Sequence, residues 1–83
     1  IKQDAFIPIG KNIRRVRKAR NIGQTELVRQ LQLLGIDMTR ETLVKIERGI
    51  QHIQAKQLYA IKEILETTYD DLLMPHNFEE SHK

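Results

Sequence analysis

Apolar residues return along this chain at helical rather than alternating spacing, and glycine, proline or a small hydroxyl residue stands where the spacing breaks. Ile9, Ile13 and Val16 form one narrow apolar face and predict a first helix from Ile9 to about Arg20, interrupted by Asn21-Ile22-Gly23. Gln24-Thr25-Glu26 begins a second, with Leu27, Val28, Leu31 and Leu34 as inward positions and Gly35 as its stop. Ile36-Asp37-Met38 leads into a short third helix over 39–48, and Ile50-Gln51-His52-Ile53 reads as the loop that follows it. A fourth is expected from about Ala55 to Glu66, with Leu58, Ile61, Ile64 and Leu65 facing inward. Thr68 caps a last short helix whose first turn carries Asp70 and Asp71, whose apolar contact is Leu72 and Leu73, and which Pro75 ends. Five short helices and no convincing strand predict an all-α bundle over 9–74. Residues 1–8 read as an extended lead-in and 75–83 as a flexible tail.

The third helix is marked at both ends. Thr39 can accept a free amide of the first turn, Met38 and Leu43 occupy the two positions of a hydrophobic staple, and Gly49 can take the left-handed conformation that stops a helix. Leu43 and Ile46 point one way, which leaves Arg40, Glu41, Val44, Lys45 and Arg48 for the remaining surface. A helix this short is marginal alone, so its apolar side must be held by the other helices and its polar side must face out.

Charge sharpens this picture. Residues 11–29 carry seven basic side chains against Glu26, a net +6, whereas residues 57–83 come to −4, within a whole-chain charge of +3. Basic and acidic residues thus separate along the chain, as suits a polyanion on one side and solvent or a protein on the other. The chain of 83 residues has no cysteine, so disulfides and thiolate metal sites are excluded. No apolar run approaches the about 18 residues of a membrane span, and no signal-peptide pattern opens the sequence; the expectation is a cytoplasmic module without membrane contact.

The order of these residues resembles the phage-repressor and Cro-like (XRE-type) helix-turn-helix family. The likeness rests on Arg17 seven before Gln24, on Gln24-Thr25-Glu26-Leu27-Val28, on Thr39 to Gly49 closing in Glu47-Arg48-Gly49, and on Tyr69-Asp70-Asp71-Leu72-Leu73. It implies a five-helix lambda-repressor-like bundle in which helices two and three form the helix-turn-helix. It also implies a structural ion pair between Arg17 and Glu47, a phosphate contact at Gln24, and base reading by Thr39, Arg40, Glu41, Val44 and Lys45. One departure stands out: the connection through Gln32 to Asp37 is longer than the family's short turn.

Arg40 and Lys45 can donate to guanine O6 and N7, Glu41 can accept from cytosine N4, and Val44 can meet a thymine methyl. Against this stands a plain alternative, in which Glu41 and Lys45, four apart, pair with each other on a solvated face. Thr25 joins Gln24 as a phosphate candidate at the start of helix two, where free amides and the helix dipole favour an anion, while Arg48, Gln51 and His52 could clamp the backbone on the far side of helix three. Lys11, Arg14, Arg15 and Lys18 form a basic row that supplies steering potential.

Enzymatic chemistry finds no footing. Ser81 is the one serine, and His52, His76 and His82 have neither metal-ligand spacing nor a nucleophile partner; no cofactor or metal is expected. The expected function is a sequence-specific, double-stranded DNA-binding transcriptional regulator acting as a homodimer on a palindromic site, which the resemblance would place in a bacterial or phage-type nucleoid. The competing expectation is a protein-interaction module on the same fold, antitoxin- or coactivator-like, in which the outward face of helix three meets a protein; the acidic C-terminal half is a second candidate surface for a protein partner.

Overall fold

The computed structural model describes residues 8–75; the lead-in before Pro8 and the tail from His76 onward lie outside the described residues. Five helices follow in order: α1 (Ile9–Ala19), α2 (Gln24–Leu33), α3 (Arg40–Glu47), α4 (Ala55–Leu65) and α5 (Tyr69–Leu73), with no strand among the described residues. The fold is all-helical. None of its helices is long and apolar enough to cross a membrane.

Punctuation residues set the boundaries. Asn21 breaks the chain after α1 by turning left-handed (φ 59°), and Gly35 does so after α2 (φ 81°). α3 is shorter than the expected 39–48: Thr39 is its N-cap and Arg48 its C-cap, so it makes about two turns. The Thr39 hydroxyl accepts from the Thr42 amide at 3.1 Å. Beyond it, Ile50 N–H reaches the Lys45 carbonyl and Gly49 N–H that of Ile46, both at 3.0 Å, which is the double closure that a glycine at φ 80° permits. Thr68 caps α5 in the same way through the Asp71 amide.

The core takes Ile9, Ile13 and Val16 from α1, Leu27, Val28 and Leu31 from α2, Leu43 and Ile46 from α3, Leu58, Ala60, Ile61 and Leu65 from α4, and Leu72 from α5. Full burial of one such large side chain stabilises the fold by about 1.5 to 3 kcal/mol. Met38 and Ile53 complete it from the segments on either side of α3. α3 packs on α1 and α2, α4 on α2, and α5 on α1.

One inward position is corrected. Leu34 is 60 % exposed rather than inward; it is the C-cap of α2, its amide still bonded to the Gln30 carbonyl at 3.2 Å while its side chain faces water. Ile53 lies in the loop expected after α3, and its side chain is fully buried, pinning the α3–α4 connection from inside.

The charge blocks also fold back on each other. Arg20, at the end of α1, donates to the carbonyls of Leu65 (2.8 Å) and Glu66 (3.0 Å), and Arg15 donates to that of Asp71 (3.1 Å). Basic α1 therefore caps the carbonyl ends of the acidic C-terminal helices, so separation along the sequence does not become two opposite poles in space. On the same side, Lys62 lies over the rings of Tyr59 and Tyr69, 5.5 and 5.0 Å from their centroids, and pairs with Glu63 at 2.8 Å, fastening α4 to α5.

Candidate nucleic-acid interface

α3 stands at the surface with its apolar side held. Leu43 and Ile46 are fully buried, while Thr39, Arg40, Glu41, Lys45 and Arg48 are exposed and Val44 is half-buried. Periodicity accounts for the division: positions three apart share a side, and the remaining positions of a short helix resting on two others must face water.

Among the described residues, no ion pair or side-chain hydrogen bond engages Arg40, Glu41, Lys45 or Arg48. Glu41 and Lys45, in the order that favours pairing four apart, are not joined. By contrast, Glu26 on α2 is fully engaged: Arg29 donates to it at 2.6 and 3.0 Å and Gln30 at 2.8 Å, and these bonds, Arg29 first, hold its carboxyl down at about 2 against an ordinary 4.5. Exposed charge on α2 is thus neutralised locally, and exposed charge on α3 is left open.

What holds α3 in place is a buried carboxylate. Arg17 Nε donates to Glu47 Oε2 at 2.7 Å and Arg17 Nη2 to Glu47 Oε1 at 3.0 Å, with the two side chains 8 % and 2 % exposed. The remaining arginine nitrogen donates to the Ile22 carbonyl at 3.0 Å, so the same side chain fixes the turn between α1 and α2. A third donor, Gln24 Nε2, reaches Glu47 Oε1 at 3.0 Å. No buried side-chain nitrogen or oxygen among the described residues lacks a partner, which such a charge requires.

The phosphate candidates occupy two places. Gln24 is half-buried at the start of α2 and is drawn against the last turn of α3; Thr25 beside it is exposed. Arg48, Gln51 and His52 are exposed just after α3. The N-terminus of α2 has Gly23 as its N-cap and, among the described residues, no side chain capping its free amides. Gly23 has φ −77° and ψ 167°, which any residue can adopt, and a side chain there would meet nothing within 4 Å.

The connection from Leu34 to Met38 is tied to the end of α2, and Arg40 and Lys45 beyond it remain exposed. Gln32 Nε2 donates to the Met38 carbonyl at 2.9 Å, and Ile36 N–H returns to the Leu31 carbonyl at 2.9 Å. The added residues fold back on the end of α2 and leave the cap of α3 intact. Among the described residues no cluster of histidine and carboxylate side chains could hold a metal.

Sequence reasoning missed Asn12, which joins α1 to the end of α5; its position three after Ile9 and four before Val16, on the apolar stripe, was the sign to read. Comparison of the chain with models of known families, with characterised proteins and with solved structures finds no match.

Proposed function

We propose that the chain is a sequence-specific, double-stranded DNA-binding transcriptional regulator, with α2 and α3 as a helix-turn-helix and α3 entering the major groove. One observation carries this reading: α3 is fixed from behind by Leu43, Ile46 and the Arg17–Glu47 pair, and in front presents Arg40, Glu41 and Lys45 without partners among the described residues. Rigid placement with open donors and acceptors is what base readout needs, because each side chain must meet a base edge within hydrogen-bond reach. Arg40 and Lys45 would donate to guanine, Glu41 accept from cytosine N4, and half-buried Val44 meet a thymine methyl.

Phosphates would be met on either side, by the uncapped amides at the α2 start with Thr25, and by Arg48, Gln51 and His52 after α3. The likeness of Arg17, Gln24, Thr39–Gly49 and Tyr69–Leu73 to the phage-repressor and Cro-like pattern supports the same reading. One short helix reads few base pairs, so a symmetric dimer placing two copies of α3 about 34 Å apart on a palindrome completes the model, working in the cytoplasm with no cofactor.

A protein-interaction module on this fold is the second reading. It is favoured by Leu33 and Leu34, 72 % and 60 % exposed side by side at the end of α2. Selection of bound duplexes from a random pool separates the two, since the second reading enriches none.

A further inference from the structure

Gln24 stands where the resemblance expects a phosphate ligand, yet its amide nitrogen is turned inward. Nε2 donates to Glu47 Oε1 at 3.0 Å, on the same oxygen that accepts from Arg17 Nη2 at 3.0 Å. Only the NH2 end of an amide can face a carboxylate, so the pairing dictates the orientation. Glu47 is 5 % exposed, and its second oxygen is taken by Arg17 Nε at 2.7 Å. This carboxylate therefore joins three elements: α1 through Arg17, the first residue of α2 through Gln24, and the last residue of α3 through itself.

From this we infer that Gln24 is a positioning residue for DNA reading rather than a phosphate ligand; the inference rests on the DNA-binding reading above. Its bond to Glu47 sets the start of α2, where backbone amides would meet a phosphate, at a fixed distance from the end of α3, whose side chains would meet bases. A bond between two anchors of one rigid body acts on the agreement between them. Its loss leaves each anchor able to bind and lets them go out of register, which hurts a duplex whose bases and phosphates must be met together more than one held by phosphates alone. A phosphate ligand behaves differently, since its loss weakens every duplex by one common factor.

The test compares wild type, Gln24→Met and Gln24→Ala, all retaining Arg17 and Glu47, after thermal unfolding has identified the variants that remain folded. Affinity is measured for the selected duplex, for a scrambled duplex, and for selected duplexes in which single phosphates are replaced by neutral methylphosphonates. The expected result is a preference for the selected duplex reduced by roughly fivefold, the worth of one ordinary hydrogen bond, with little change on the scrambled duplex. No single methylphosphonate should cancel the effect of the substitution. Equal weakening on both duplexes, a methylphosphonate position that abolishes the difference between Gln24 and Met, or no change at all overturns the inference. If wild type prefers no duplex, the DNA-reading proposal itself fails, an outcome separate from these.

Discussion

Asn12 gives its side-chain amide nitrogen to two carbonyls at the far end of the chain, Leu72 O at 2.9 Å and Met74 O at 2.8 Å. Five-residue α5 is too short to persist alone, and this buried amide, with Leu72 beneath it and Arg15 on the Asp71 carbonyl, joins it to α1. Asn12→Ala leaves both carbonyls without their donor and should cost about 1 to 3 kcal/mol in chemical denaturation. Amide exchange should speed up at Leu72 and Met74 before it does in α2; uniform loss of protection would mean that Asn12 serves the whole core instead.

The Arg17–Glu47 pair predicts an asymmetry between single and double substitutions. Arg17→Met alone strands a buried carboxylate and should destabilise by about 3 to 5 kcal/mol, enough to unfold much of so small a domain. Arg17→Met with Glu47→Leu removes both charges and should recover most of that loss. Denaturation of wild type, Arg17→Met, Glu47→Leu and the double variant measures the coupling, and additive costs would contradict a buried pair.

At Gly23, stability and binding should move in opposite directions. Backbone conformation and free space both accept a larger residue, and aspartate would cap the bare α2 amides, gaining a few tenths of a kcal/mol over glycine. The same carboxylate would lie where a phosphate is proposed to sit, so Gly23→Asp should melt slightly higher and bind every duplex more weakly. Unfolding and duplex titration of the one variant check both halves.

Glu26 supplies a pH signature independent of DNA. Its carboxyl titrates at about 2 when folded against an ordinary 4.5, chiefly because Arg29 and then Gln30 donate to it. A depressed folded pKa means a contribution fully present above the ordinary value and lost as pH falls through about 2. Carboxyl-carbon NMR titration should give the low midpoint, and Arg29→Ala should move it back toward 4.5.

Local signals were legible in the spacing; among distant ones the Arg17–Glu47 pair was expected through the resemblance alone. Thr39, Gly35, Gly49 and Thr68 mark helix ends through bonds spanning a few residues, so each could be recognised from its neighbours and each stands where it was expected. Leu34 satisfied the helical period and still faces water, at the C-cap of α2 just before Gly35 turns the chain. Ile53 was hidden in a loop with no period to reveal it. Contacts over tens of residues, Asn12 to Leu72 or Arg20 to Leu65, depend on how helices cross, which no spacing encodes. In the site, the period marked Arg40, Glu41 and Lys45 as outward, whereas the inward turn of the Gln24 amide follows from the approach of α3 to the start of α2.

At the centre stands base reading by Arg40, Glu41 and Lys45, which have no side-chain partner among the described residues. Selection of bound duplexes from a random pool, repeated with Arg40→Ala and Lys45→Ala, tests it most directly. The account predicts one enriched palindromic sequence for wild type, with each substitution costing about 1 to 3 kcal/mol of discrimination at its own base pair. A pool that emerges as random as it entered, or the same enriched sequence at undiminished preference from both variants, would contradict it.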